Sequence, residues 1–355
     1  MAGKNIFLNK NIREKDQIDL ARDLSILLQT GVTLNESLKM ILDQSRSAKI
    51  KVLVEDVLNS VERGSTFSVG IEKSSLKLNN VFVSMVKAGE ASGTLSRNLL
   101  FTSEWIERNL DLKKNIKSVT LYPKIVISSA FLLGMMLSVY ILPKLIPVFT
   151  GMNMELPLIT RMVLSTAMFF RDNTLAIILS TIGIIIFFNV ISKINLTRRW
   201  LQKFYLKIPF FGNLVKSYEL ALFSQLMSVL LKSGLTINES FAVSGSESRN
   251  LPYQDSFNII KARLVQGVPL SESIKRFNHL YPNNYPNIIL VGEKTGTLES
   301  SFSKLAEYYN RDIKMRTRDL PTILEPILLL VIGFLVAIIA LSIILPIYTL
   351  SSGIQ

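Results

Sequence analysis

This chain contains itself at one fixed offset, and that limits what it can fold into. Val86-Lys-Ala-Gly-Glu-Ala-Ser-Gly-Thr-Leu95 is matched 203 residues later by Ile289-Leu-Val-Gly-Glu-Lys-Thr-Gly-Thr-Leu298. Gly89 falls on Gly292, Glu90 on Glu293, Gly93 on Gly296, Thr94 on Thr297 and Leu95 on Leu298. The same shift lays Leu27-Leu28, Gly31, Thr33, Asn35, Glu36 and Ser37 on Leu230-Leu231, Gly234, Thr236, Asn238, Glu239 and Ser240. It also pairs Gly64 with Gly267, Glu104 with Glu307, Arg108 with Arg311, Pro123 with Pro326 and Leu142-Pro143 with Leu345-Pro346. One ungapped shift that aligns so many separate motifs is the mark of a tandem duplication.

The chain carries three apolar runs, of which the second alone has no partner at the 203-residue offset. Ile125–Leu142 and Thr174–Ser192 carry no charge, and none occurs from Pro326 onward. At about 1.5 Å per residue each run crosses most of a hydrocarbon layer of roughly 30 Å, so three transmembrane helices are expected. Lys113, Lys114, Lys117 and Lys124 precede the first run, and Lys193, Arg198, Arg199, Lys203, Lys207 and Lys216 follow the second. Arg311, Lys314, Arg316 and Arg318 precede the third, whereas the segment between the first two runs has only Lys144, Arg161 and Arg171. The excess of positive charge on one side predicts a cytoplasmic N-terminus and an extracytoplasmic C-terminus. The net charge of +13 suits nucleic acid or an anionic membrane surface, and the apolar runs favour the membrane. Residues 1–19 lack the apolar core of a cleavable signal peptide. With no cysteine, disulfides and thiolate chemistry are excluded.

Between the runs the pattern is helical. Leu20, Leu24, Leu27 and Leu28 recur at helix spacing. Thr33-x-x-Glu36 and Thr236-x-x-Glu239 read as capping boxes after glycine stops at Gly31 and Gly234. No run alternates with a period of two, so the fold class is all-α. The expected order is a polar tail (1–16), a helical domain of about six helices (17–118), a first span (119–146) and an outer segment (147–172). A second span (173–192), a basic linker (193–216), a second helical domain (217–322), a third span (323–349) and an outer tail (350–355) complete it.

The candidate chemistry is sparse. Gly292-Glu-Lys294-Thr-Gly296 fails the spacing of a phosphate loop, and the first copy has Ala91 where the second has Lys294. The glycines predict a tight corner between helices. One carboxylate per domain, Glu90 or Glu293, is too little for paired acid–base work. Each glutamate is open to three readings: bonding backbone amides in its own turn, contacting a partner, or ligating a metal. Glu325 before Pro326 lies either in the interface or against a neighbouring helix. Pro123 and Pro326 are read as helix starters. Glu104 with Arg108 and Glu307 with Arg311 have the i,i+4 spacing of solvated ion pairs. His279 stands alone, and no metal or cofactor site is apparent.

These features together resemble the type II secretion protein F family. The doubled Leu-Leu-x-x-Gly-x-x-x-x-Glu-Ser and Gly-Glu-x-x-Gly-x-Leu carry the likeness, with Tyr122-Pro123, Leu156-Pro with Thr160, Ile208-Pro with Gly212, and Glu325-Pro326 with Gly333. They cover residues from about 20 to 348. The resemblance implies a non-enzymatic inner-membrane platform of a type IV pilus, type II secretion or competence machine. It implies as partners a hexameric secretion ATPase, pilin-like subunits, other inner-membrane assembly proteins and the lipid bilayer. A homo-oligomer is expected, and no nucleic acid. The competing reading is an oligomeric membrane transporter, for which three spans give too little wall. The positions singled out for structural or partner-contact roles are Gly89, Glu90, Gly93, Gly292, Glu293, Gly296, Pro123, Glu325 and Pro326.

Overall fold

The computed structural model describes residues 11–119, 121–136, 158–173, 195–207, 211–248 and 250–352, with positions 176, 179, 180, 183 and 187. Among them the regular secondary structure is helical, apart from one isolated bridge between Asn11 and Lys77. The first copy is built from α1 (Glu14–Gln29), α2 (Leu34–Gln44), α3 (Ala48–Glu62), α4 (Phe67–Lys73), α5 (Asn80–Ser92) and α6 (Leu95–Val119). Next come α7 (Leu121–Met136), α8 (Leu158–Asp172) and α9 (Asn195–Lys207). The second copy comprises α10 (Phe211–Lys232), α11 (Ile237–Glu247), α12 (Leu251–Val265), α13 (Leu270–Lys275), α14 (Asn284–Thr295) and α15 (Leu298–Ser352).

Helix ends repeat with the sequence. Thr33 accepts from the Glu36 amide while Glu36 accepts from the Thr33 amide, and Thr236 and Glu239 do the same. Both are reciprocal capping boxes that satisfy N–H groups left over at a helix start. Gly31 and Gly234 take φ of +86° and +88°, the left-handed conformation that stops the preceding helix without a Cβ clash.

The chain divides into two compact units, Met1–Lys114 with Arg199–Lys314, and Asn115–Arg198 with Met315–Gln355. The first unit holds the helical bundles of both copies, up to Lys114 and Lys314. Its first copy has an aliphatic core that includes Leu20, Leu38, Leu53, Val54 and Leu99. Leu222, Leu226 and Leu230 of α10 join that same buried cluster. Ser233 after α10 donates a 3.4 Å bond to the Met85 sulfur, and Lys232 Nζ lies 4.7 Å from the Phe101 ring centroid. The second copy therefore lays its first helix against α5 and α6 of the first copy.

This packing explains a feature of α10. Among the described residues, Gly212–Lys232 is the one helix long and apolar enough to cross a membrane by length and composition, yet 72% of its apolar window is buried. Its other side packs on its own copy, where Phe223 stacks 4.5 Å from Phe257 and meets Phe241 and Phe302 edge-on. A helix enclosed on all sides is apolar all round.

In the second unit α7, α8 and α15 display apolar side chains outward. Phe131, Leu132, Leu133, Phe169, Leu329, Leu330 and Phe334 are exposed. Thr160 on α8 is buried and donates a 3.0 Å bond to the Ser342 carbonyl on α15. Apolar helical segments shorter than a full span occur at Lys124–Leu133 and Leu328–Ser342. The first expected span is described over Leu121–Met136, and most of the second lies outside the described residues. Around the third, α15 is continuous from Leu298 to Ser352, so Pro326 sits inside a helix and does not start one. Having no N–H, Pro326 gives nothing to the Thr322 carbonyl. Pro123 lies in the first turn of α7, where a missing N–H costs nothing.

Candidate functional site

The doubled Gly-Glu-x-x-Gly motif forms the corner between α5 and α6 and again between α14 and α15. Gly93 and Gly296 end the first helix of each corner with φ of +69° and +70°. The amides of Thr94 and Thr297 then bond the carbonyls of Gly89 and Gly292, each at 2.9 Å, closing the left-handed helix stop. Gly89 and Gly292 do a different job. A Cβ at Gly89 would stand 2.8 Å from the Leu95 Cα, and one at Gly292 would stand 2.9 Å from the Ser301 Cβ. The absent side chain lets the two helices of each corner meet. Thr94 presents its carbonyl to the Asn98 amide as α6 begins, and its hydroxyl pairs with Ser92 at 2.7 Å.

Glu90 and Glu293 reach back to another helix. Glu90 accepts from the amides of Phe67 and Ser68 at the start of α4, the second at 3.0 Å. Glu293 accepts from the amides of Leu270 and Ser271 at the start of α13, and from the Ser271 hydroxyl. Each carboxylate bonds backbone amides, but those of a helix 22–23 residues upstream and not of its own turn. A negative group at a helix N-terminus meets unsatisfied N–H groups and the positive end of the helix dipole. Bonds of this kind to a charged acceptor are worth about 1.5–3 kcal/mol each. Both oxygens of each carboxylate are thus engaged with the fold.

The remaining singled-out positions lie elsewhere. Glu325 and Pro326 are exposed on α15 in the second unit, and Pro123 is on α7. The Glu104–Arg108 and Glu307–Arg311 ion pairs are present on exposed surfaces of α6 and α15. His279 is exposed in a turn, its ring near Phe277. Among the described residues no three acidic or histidine side chains converge as metal ligands.

Two profiles of one family cover this duplicated framework, at residues 20–143 and 223–346, with the description "Type II secretion system (T2SS), protein F". Their boundaries reproduce the internal offset. The chain belongs to the type II secretion system protein F family. Curated relatives extend the match over nearly the whole chain. The type IV pilus assembly protein PilC of Thermus thermophilus is 28% identical over 94% of this chain and 82% of its own length. The PilC of Pseudomonas aeruginosa is 26% identical over 97% of this chain and 92% of its own. The type II secretion system protein F of Pseudomonas aeruginosa is 24% identical over 98% and 86%.

Within this protein F fold the sequence reading missed a buried carboxyl group. Glu219 on α10 is buried and accepts a 2.7 Å bond from the Ser248 hydroxyl. Burial pushes its carboxyl up to about 7, and the Ser248 bond only partly offsets this. Buried Tyr253 and Tyr281 lie close enough to feel its charge. Tyr253 donates to the Leu280 carbonyl at 2.8 Å, and Tyr281 pairs with Ser256 at 2.9 Å. The signal was the one acidic residue of a largely apolar helix, at the position that corresponds to Asp16 in the first copy.

Proposed function

We propose that this chain is a non-enzymatic inner-membrane platform of a type IV pilus or type II secretion machine, which transmits work from a cytoplasmic ATPase to pilin-like subunits in the bilayer. The observation that carries this reading is the pairing of a doubled, cap-stabilised helical fold with charge-free helical stretches, 125–136 of α7 and 326–352 of α15, whose exposed surface is apolar. Phe131, Leu132 and Leu133 on α7 and Leu329, Leu330 and Phe334 on α15 face outward. A contiguous apolar surface of that kind marks a membrane or a protein contact. Basic residues flank these segments, and the relatives bear the names of pilus and secretion assembly proteins. In this reading three spans cross the membrane, both duplicated domains face the cytoplasm, and residues 350–355 lie outside. The carboxylates of Glu90 and Glu293 serve the domain fold, which leaves other surfaces to meet the ATPase.

The absence of cysteine makes the test direct. Single cysteines replace Ser92 and Thr295, both exposed at the ends of α5 and α14. A thiol cross-linker is applied in cells that express the co-encoded ATPase. An adduct with the ATPase at either position is expected. Inserted, folded protein that yields no ATPase adduct there, and no change in ATPase turnover on reconstitution, would remove the coupling reading.

A further inference from the structure

The two copies share a fold but not a neighbour. In the first copy the outer faces of α5 and α6 carry α10, with α11 also packed on α5. Met85 is fully buried and Trp105 is 1% exposed. The same faces on α14 and α15 are bare. Tyr308, in the place of Trp105, is 53% exposed, and Val291, in the place of Ala88, is 60% exposed. Lys304 takes the place of Phe101 and is exposed. Ile288, in the place of Met85, is half-buried.

The inserting element shows the converse. On α10 the residues Leu222, Leu226 and Leu230 are buried against the first copy. At the corresponding positions α1 carries Asp19, Asp23 and Leu27, with Ile26 52% exposed and Thr30 exposed. One chain therefore holds an acceptor face without an inserting helix and an inserting helix without an acceptor face. A contact between unlike faces propagates from molecule to molecule, into a ring or a filament.

We propose that a second copy of this chain docks its α1, through Asp19, Asp23, Ile26 and Thr30, on the α14–α15 face formed by Ile288, Val291, Lys304 and Tyr308, repeating between molecules the contact that α10 makes with α5–α6 within one. Continuity with the internal contact supplies the geometry. The substitutions supply complementarity: leucines become aspartates on the inserting side, while Phe101 becomes Lys304 on the accepting side. Arg22, the basic residue beside Asp23, is already paired with Glu107 at 2.7 Å. Charges exposed in this way set partner choice and register more than raw affinity.

The experiment uses the full chain in its membrane. Inside one molecule Ser233 touches Met85, and the intermolecular counterparts are Thr30 and Ile288. Thr30→Cys and Ile288→Cys are carried on two differently tagged chains, co-expressed and treated with a short bifunctional maleimide. A chain with both Met85→Cys and Ser233→Cys is the internal control. The expected product is a dimer bearing both tags, and a chain with both Thr30→Cys and Ile288→Cys should give a ladder or closed ring. Adding Asp23→Lys should reduce the mixed dimer at least tenfold, and Lys304→Glu on the other chain should restore it. The proposal is overturned by absence of the mixed dimer when the control closes, by dimers that join only like cysteines, or by an Ile288→Cys adduct with a different protein. Failure of Lys304→Glu to restore the link would likewise overturn the assigned charge pairing.

Discussion

The two copies of one fold solve the same packing problem with different chemistry. Where the first copy has Leu20, Leu38, Val54 and Leu99 at its centre, the second has Phe223, Phe241, Phe257 and Phe302. Where the first has Ile50, Leu78, Phe82 and Ile106, the second has Tyr253, Tyr281, Tyr285 and Tyr309. The phenols are admitted together with partners. Tyr285 pairs with Ser224 at 2.7 Å and Tyr281 with Ser256 at 2.9 Å. The first copy has Phe82 with Ala21, and Leu78 with Leu53, so each hydroxyl pair is present or absent as a unit. Buried polar groups are tolerated when both members are there and costly when one is missing. The capping boxes at Thr33 and Thr236 and the glycine corners, by contrast, recur with the same geometry, whereas the side-chain caps of Thr66 and Asn79 give way to Pro269 and Pro282. The duplication holds these boxes and corners constant and lets the interior and the outer faces diverge.

The largest expected effect comes from exchanging the residue that most separates α1 from α10. Leu226 is fully buried where the two copies meet, and its counterpart Asp23 is exposed. Leu226→Asp would place a carboxylate in that contact and remove packed methyl groups, costing about 5 kcal/mol. Asp23→Leu should change stability by no more than about 0.5 kcal/mol, as surface substitutions usually do. Burial and the nearby Asp19 charge raise the Asp23 carboxyl, and Arg22 lowers it in part. Thermal unfolding of the full chain in detergent reads both variants. Equal effects would mean that the two first helices have equivalent surroundings, contrary to the asymmetric packing.

A smaller effect sharpens the comparison through pH. The Glu219 carboxyl is pushed from 4.5 to about 7 in the folded protein. Between those values the folded state holds a proton that the unfolded chain has released. Stability therefore falls as pH rises through that window, by about 3 kcal/mol in all. Glu219→Gln keeps an oxygen for Ser248 and removes the titration. It should unfold close to the native protein at pH 5 and be the more stable of the two at pH 8. Asp16, at the same place in the first copy, is half-buried and lies 3.5 Å from Arg13 and 3.2 Å from Ser47. Asp16→Asn should lower stability, since it discards an acceptor of charged and hydroxyl donors. A Glu219→Gln chain less stable at pH 8 than at pH 5, relative to native, would mean that the carboxylate is ionised and paired.

What was legible in the sequence was local. Thr33 and Glu36, or Gly93 with Thr94, act within a few residues, so their spacing alone predicts the capping box and the left-handed stop. The partner of Glu90 was not legible, because the start of α4 is brought to it only by the folded path of the chain. The apolar stretch of α10 was read as part of a helical domain from residue 217, and the helix itself starts at Phe211, within the basic linker of 193–216. Its apolar character comes from being covered by two domains, and a one-dimensional profile does not separate that from lipid. Pro326 was read as a helix start because proline is common there. Its place within α15 depends on how neighbouring turns absorb the lost N–H, which no residue type announces. Glu219 was passed over because a single acid in an apolar helix has no motif. Its meaning comes from Ser248 and the tyrosines that surround it.

The smallest effect tests whether the tyrosine–serine pairs are units in the sense that the first copy suggests. Tyr285 is buried between Tyr281 and Tyr309, with ring centroids 5.6 and 5.8 Å away. Its hydroxyl meets that of Ser224 in the buried interior. Ser224→Ala leaves the phenol without that partner and should cost about 2 kcal/mol. Tyr285→Phe leaves the serine, which has neighbouring backbone carbonyls within its own helix, and should cost about 1 kcal/mol. The double variant reproduces the Ala21 and Phe82 of the first copy. It should be less damaging than the sum of the two, with a coupling of about 1–2 kcal/mol. Denaturant titration of all four chains measures that coupling. If the single effects simply add, the hydroxyls are satisfied independently, and the paired replacement between the copies has another cause. If they couple, each exchange of a phenol for a hydrocarbon ring carried its serine with it because one half alone leaves a buried donor unpaired.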